Sequence, residues 1–348
     1  MGAFILQFAC LATSLFLASF VAEAGEIDMA RSNRSADTAK NNPVSRVEAG
    51  HLDADNSIRD LLNHSAFRGY SRLLMPWSDR TYDENMRLGD ISSLLPYHSH
   101  VDPKTVLSGL NRMIDDVNNG GPVFYDFYTE SQKRADPTKE HAGLFFFRGK
   151  PRAPFAIISP GGGFSYVGSV HEGFPYAVEI SSKGYNAFVL KYRAGHGGDV
   201  ATQDLAAAIS YIFRNAESLG VDTRGYALWG SSAGARMAAA VGSHGVAAFG
   251  GDALPKPSVV VMAYTAHSDS SSDEPPTFVV VGERDAIAPP SVMERRVSTL
   301  RRAGTEVEYH RYKDLGHGFG PGIGTSAEGW IADATRFWQK FIKERRAQ

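Results

Sequence analysis

Eight short apolar runs mark the chain from about residue 120 onward: VFYDFY (123–128), GLFFFRG (143–149), FAIISPGGG (155–163), NAFVLKYRAG (186–195), YALWGSSAG (226–234), SVVVMAY (258–264), TFVVVGERD (277–285) and EVEYHRY (306–312). Most are continuously apolar rather than alternating, as in strands buried on both faces. Helical patterns fall between them, at Phe174–Ser182, Asp204–Leu219, Ala233–Val241 and Ser291–Arg302. This alternation predicts an α/β architecture with a mainly parallel, doubly wound sheet of about eight strands. The first two runs, joined by a polar stretch, predict an antiparallel edge. Trp330, Ile331, Ala334, Phe337, Trp338 and Phe341 fall on one face of a closing helix.

The first third reads differently. Residues 58–120 carry helical patterns at Ile58–Phe67 and Val106–Val117, with Pro breaks and many aromatics but no strand rhythm. They predict a helical N-terminal extension packed on the α/β domain of 121–348. Residues 25–57 are small and polar without a period and read as a flexible tether. Ala3 to Val21 is almost wholly apolar and runs into Ala22-Glu23-Ala24, so 1–24 reads as a secretory signal cleaved near Ala24. An uncleaved anchor is the alternative, because the apolar run is just long enough to span a bilayer. A periplasmic or secreted location follows from the first reading, with no stable membrane span after signal removal.

Composition narrows the classes. Hydrophobic residues make up 43% and charged residues 21% of the 348, which excludes a disordered chain, a fibre and a multi-span membrane protein. The formal charge of −2 implies no basic face, so nucleic acid is not an expected partner. The single cysteine, Cys10, lies in the signal segment, which excludes a disulfide scaffold and a Cys-based zinc site.

The chemistry concentrates at strand ends. Gly230-Ser231-Ser232-Ala233-Gly234 is a G-x-S-x-G set between an apolar strand and an Ala-rich helix. A nucleophile on so sharp a turn needs neighbours without side chains two residues to either side. A serine hydroxyl also needs a base and an acid, following in the order Ser, acid, His. Asp285 ends TFVVVGERD, and His317 sits in DLGHGF just beyond EVEYHRY. Both would lie at strand C-terminal ends, where open α/β sheets keep their sites. Asp269, Asp273 and Glu283 are rival acids; His310, His267, His244, His196 and His171 are rival bases in less suitable positions. PGGGF (160–164) follows a strand, and its glycines let the backbone approach a substrate carbonyl.

Together GSSAG, GERDAIAP, GHGFG and PGGGF resemble an α/β-hydrolase, and more narrowly the acetyl esterase/lipase group that includes bacterial carbohydrate esterases of the acetyl-xylan and feruloyl type. Glu172-Gly173-Phe174-Pro175, FVLKYR (188–193) and Gln203-Asp204 support this resemblance, which covers about 120–345. It implies the α/β-hydrolase fold and an oxyanion hole made by the N–H groups of Gly162, Gly163 and Ala233. Pro160 stands where the hormone-sensitive-lipase branch has His, which moves the chain toward the xylan-esterase-like branch. The implied activity is a secreted serine esterase acting on short-acyl esters, small-molecule or glycan, through an acyl-Ser232. The resemblance implies no metal or organic cofactor.

Two other features carry weaker chemistry. His98-Ser99-His100 with Asp102 could hold a metal, but it reads better as a polar loop, since no further ligand cluster accompanies it. Phe124, Tyr125, Phe127, Tyr128 and Phe145 to Phe147 could stack on sugars, but on strands they read as core. Two functional alternatives stay open. One is a prolyl-oligopeptidase-like serine peptidase, for which 25–120 is too short to form the usual propeller. The other is a non-catalytic binding protein on the same fold. The oligomeric state is left open by the sequence.

Overall fold

The computed structural model describes residues 49–95 and 97–347. The expected signal 1–24 and residues 25–48 of the expected tether lie outside the described residues. Among the described residues, no helix is long and apolar enough to cross a membrane.

Eight strands form one sheet: β1 (Phe124–Tyr125), β2 (Gly143–Phe147), β3 (Pro154–Ser159), β4 (Asn186–Lys191), β5 (Asp222–Ser231), β6 (Val259–Ala263), β7 (Thr277–Gly282) and β8 (Val307–Tyr312). Their order is β1-β2-β4-β3-β5-β6-β7-β8. The β1–β2 and β2–β4 pairs are antiparallel, and every pair from β4 to β8 is parallel. The antiparallel edge expected from the first two runs is therefore present.

The continuous apolar runs have a direct cause in this sheet. Successive side chains point to opposite faces, and both faces are covered. Phe145, Ile158, Val189, Trp229, Val261 and Val280 belong to one buried cluster, while Phe146, Ile157, Phe188, Leu228, Met262 and Val279 belong to the other. Each strand must then be apolar at nearly every position.

The N-terminal extension contributes α1 (Ile58–Asn63), α2 (Ser71–Leu74) and α3 (Pro103–Asn118). A reciprocal capping box between Ser57 and Asp60 starts α1, and Asp102 caps α3 ahead of Pro103. Ile58, Phe67, Leu74, Ile91, Leu110 and Met113 share the first buried cluster with the sheet. Gly109 makes the approach possible: a Cβ there would lie 2.8 Å from the Cβ of Phe174.

One expectation is corrected here. Residues 49–57, read as the end of a tether, are held in place, Ala49 and Leu52 by α3 and Ala54 and Asn56 by the N–H groups of Gly89 and Leu88. Asn111 donates to Leu52 O (2.9 Å) and accepts from Leu52 N–H (2.8 Å). Asn118 does the same for Ala49, at 2.9 and 3.0 Å. The two asparagines lie two turns apart on one helix face, so together they pin an otherwise polar strand of chain.

Further along, α4 (Glu130–Ala135) precedes β2, α5 (Phe174–Ser182) packs on the first face, and α6 (Gly197–Arg214) and α7 (Ala216–Leu219) lead into β5. After β5 come α8 (Ala233–His244), α9 (Pro290–Arg302) and the closing α10 (Trp330–Ala347). The chain leaves β3 toward β4 on one side, while β5 lies on its other side. That reversal opens a crevice at the C-terminal ends of β3 and β5, the usual place for a site in such a sheet.

Candidate active site

β5 ends at Ser231 and α8 starts at Ala233, which leaves Ser232 alone on the turn with φ 49° and ψ −116°. Such a conformation costs a non-glycine residue about 1–3 kcal/mol and persists only where the surroundings enforce it. They do so here. The Ser232 N–H donates to Ala263 O at 2.8 Å. A Cβ on Gly230 would lie 2.4 Å from the carbonyl of Gly234, and one on Gly234 would lie 1.9 Å from Ser159 O. Both glycines of the motif are therefore demanded by backbone approach.

Asp285 follows β7 and His317 follows β8. The Asp285 side chain is fully buried; its Oδ1 accepts the N–H groups of Ile287 (2.9 Å) and Ala288 (2.7 Å). Its Oδ2 lies 2.8 Å from His317 Nδ1, and His317 Nε2 lies 2.8 Å from Ser232 Oγ. A carboxylate only accepts, so Nδ1 donates and Nε2 is left to accept the serine proton. The structure thus brings Ser232, His317 and Asp285 into one hydrogen-bonded line.

Gly162 and Gly163 turn the loop after β3 with φ of 137° and 62°. At Gly162 a Cβ would fall 2.1 Å from Tyr166 O. Among the described residues, no protein acceptor takes the N–H of Gly162, Gly163 or Ala233. The Ala233 N–H belongs to the first turn of α8, whose N-terminal end favours negative charge. Backbone donors beside a serine whose hydroxyl contacts an imidazole form an arrangement that can carry out acyl transfer.

Most of the rival residues have other partners. Asp269 pairs with His244 (2.7 Å), Asp273 with Lys256 (3.2 Å), Glu283 with Arg311 (3.4 Å) and His310 with Glu308 (2.7 Å). His171 is buried against Ile91 O, and burial together with the neighbouring His98 pushes it down to about 3. Burial, with Arg296 and Arg236 nearby, lowers His267 to about 4. His196 lines a polar cavity with Trp77, Arg80 and His141. Phe127, Tyr128 and Phe145 to Phe147 are buried in the core, while Phe124 and Tyr125 are half-buried.

The loop at 97–100 has a larger role than its sequence suggested. His100 meets Ile323 O at 2.7 Å, and the Ser99 N–H donates to both His317 O and Gly318 O at 3.1 Å. Tyr97 is 44% exposed, stacks on Tyr166, and lies 3.6 Å from where a Gly163 Cβ would stand. His98, Glu172 and Tyr264 also converge on this centre; sequence reasoning weighed His98 only within a metal motif and gave Glu172 and Tyr264 no role in the site. The sequence did carry a pointer to Glu172, in the HEGFP segment that accompanies the glycine-rich loop.

Comparison with known proteins agrees with this architecture. Residues 148–258 match the BD-FAE family, and residues 256–345 match the prolyl oligopeptidase family, Peptidase_S9. A 93-residue stretch is 31% identical to endo-1,4-beta-xylanase B of Butyrivibrio fibrisolvens; it spans 25% of this chain and only 14% of that protein. Among solved structures, an acetyl ester-xyloside bifunctional hydrolase from Caldicellulosiruptor lactoaceticus superposes with a TM-score of 0.55 at 20% identity, covering 62% of this chain and 95% of the other. MGS-M1, an alpha/beta hydrolase enzyme from a deep-sea metagenome library of the Medee basin, gives 0.51 at 24% identity, covering 58% and 93%. The propionate-bound Est2 esterase of the planctomycete Thermogutta terrifontis gives 0.51 at 18%, covering 57% and 89%. These likenesses show the α/β-hydrolase fold.

Proposed function

We propose that this chain is a serine ester hydrolase with Ser232 as nucleophile, His317 as general base and acid, and Asp285 as the residue that orients and balances the imidazole. The observation that carries the reading is the unbroken line from Asp285 Oδ2 through His317 to Ser232 Oγ, with both contacts at 2.8 Å. In the first step Ser232 Oγ attacks the ester carbonyl while its proton passes to His317 Nε2. The oxyanion rests on the N–H groups of Gly162, Gly163 and Ala233. Collapse expels the alcohol, which takes the proton from His317 and leaves an acyl-Ser232. Water activated by His317 then releases the acid.

The substrate class we propose is a short-acyl ester of a carbohydrate, handled outside the cytoplasm after removal of residues 1–24. Support comes from the xyloside and xylanase relatives, from the propionate-bound esterase neighbour, and from the exposed Tyr97 ring beside Gly163. Hydrolysis of p-nitrophenyl esters from acetate to octanoate, beside deacetylation of acetylated xylo-oligosaccharides, tests it. The expected result is acetate preferred among the simple esters, with acetate released from the oligosaccharide. A preference for octanoate with no release from the glycan would overturn the substrate class.

A peptidase reading has one observation in its favour, the prolyl oligopeptidase match over 256–345. A Pro-containing peptide p-nitroanilide assayed in parallel separates the two, since the ester reading expects turnover of the ester alone.

A further inference from the structure

A second buried carboxylate stands directly behind the oxyanion loop. Glu172 lies in a π-helical turn, Ser169–Gly173, that leads into α5. Such turns recur at functional sites. Its Oε1 accepts the Gly161 N–H, and its Oε2 accepts the Tyr264 O–H. His98 Nε2, arriving from the N-terminal extension, lies 3.2 Å from the same Oε2. Both side chains are withdrawn from solvent, at 4% exposure for His98 and 0% for Glu172. On its other ring nitrogen, His98 Nδ1 meets Tyr166 OH at 3.2 Å.

Two of these partners, Gly161 and Tyr264, adjoin the triad directly. Gly161 abuts the nucleophile, since a Cβ on it would fall 3.0 Å from Ser232 Cβ, and it is followed directly by the donors Gly162 and Gly163. The Tyr264 ring lies edge-on to His317 at 5.4 Å. Burial raises Glu172, but the opposing effects of His98, Ser231 and Tyr264 outweigh it and hold the carboxyl at about 2. It is therefore a carboxylate, which can only accept; its Oε1 takes the Gly161 N–H, which Ser231 Oγ also approaches at 3.2 Å. A bare negative charge at this place would oppose the oxyanion that forms during the reaction. The donor from His98 and the hydroxyl of Tyr264 offset that charge.

We propose that Glu172 and His98 are positioning residues for ester hydrolysis: the contact across from the N-terminal extension fixes Gly161, and through it aims the Gly162 and Gly163 N–H groups at the oxyanion. The extension is then a working part of the centre. Its 97–100 segment holds the oxyanion loop through His98 and the base-bearing loop through the Ser99 N–H. This inference rests on the ester-hydrolase reading.

The test uses Glu172→Gln, His98→Leu and the double variant in the full chain, with p-nitrophenyl acetate kinetics and thermal melts. Donors misaimed by a fraction of an ångström weaken the transition state and leave ground-state binding alone. Glu172→Gln should lower kcat by about 100-fold with KM within about twofold. His98→Leu should lower kcat by about 10-fold. The double variant should be no slower than Glu172→Gln, because His98 acts through the carboxylate. A folded Glu172→Gln with kcat within twofold of wild type overturns the proposal, as does a loss confined to KM or a double variant showing the product of the single losses. If Glu172→Gln does not fold at the assay temperature, His98→Leu decides: an unchanged kcat overturns the proposal and a loss in kcat alone supports it. Fluorophosphonate labelling of Ser232 and turnover by wild type report separately on the hydrolase reading.

Discussion

Gly234→Ala is the sharpest single test of how the motif is built. The added Cβ would stand 1.9 Å from Ser159 O, 2.5 Å from Ser159 C and 2.7 Å from Pro160 O. All three are backbone atoms, so no side chain can swing aside. Restoring a 3.0 Å separation, the lower limit seen for real Cβ atoms, requires α8 and the end of β3 to part by about 1 Å. Ser232 rides on the start of α8, and Gly161 to Gly163 follow β3 directly, so the parting falls between the nucleophile and its oxyanion donors. A displacement of about 1 Å at such a point costs about 100-fold in rate. Overpacking itself costs about 1–3 kcal/mol of stability. Gly242→Ala is the control, because on the same helix its Cβ would meet the side chain of Val260 at 2.6 Å, away from the Ser232 turn and the loop after β3. Steady-state kinetics with p-nitrophenyl acetate and urea unfolding should show both variants destabilised but only Gly234→Ala slowed, in kcat. Equal kcat for Gly234→Ala and wild type would refute the coupling between motif packing and oxyanion geometry.

Asp285→Asn should lower kcat by about 10⁴-fold with little change in KM, since an amide in place of Oδ2 favours the wrong imidazole tautomer; retention of a tenth of wild-type kcat would contradict the orienting role. Glu172 links stability to acid. Its carboxyl is held at about 2 against an ordinary 4.5, so its contribution is fully present above 4.5 and is lost as pH falls toward 2. The gap is worth about 3 kcal/mol, so the urea-measured deficit of Glu172→Gln at pH 7 should shrink by about that much between pH 5 and pH 2. A deficit that stays constant over that window would show that the charge contributes nothing.

The sheet was legible because strands covered on both faces must be apolar at nearly every position, and that requirement is local. Trp229 and Leu228 face opposite clusters, yet both belong to one readable run. Ser232, Asp285 and His317 were legible for a similar reason: each follows a strand in a short stretch whose glycines or turn residues mark it. The N-terminal extension gave up its helices but not the polar contacts that fix it in place. Asn111 holds Leu52 across 59 residues, and His98 meets Tyr166 across 68. Neither contact leaves a periodic trace, and polar side chains that satisfy distant backbone groups look like any other loop or helix-surface residue. The same limit placed the end of the tether at 57, when the clamp by Asn111 and Asn118 fixes the chain from Ala49.

The most direct measurement is p-nitrophenyl acetate turnover by wild type and Ser232→Ala, side by side, with circular dichroism on both. Ser232→Ala removes the nucleophile and leaves the fold, since the small side chain keeps the turn and its N–H bond to Ala263 O. The account predicts turnover by wild type and a loss of at least about 10⁴-fold in the variant, with superimposable spectra. Comparable turnover by both proteins, or a folded wild type that is inert, would contradict it.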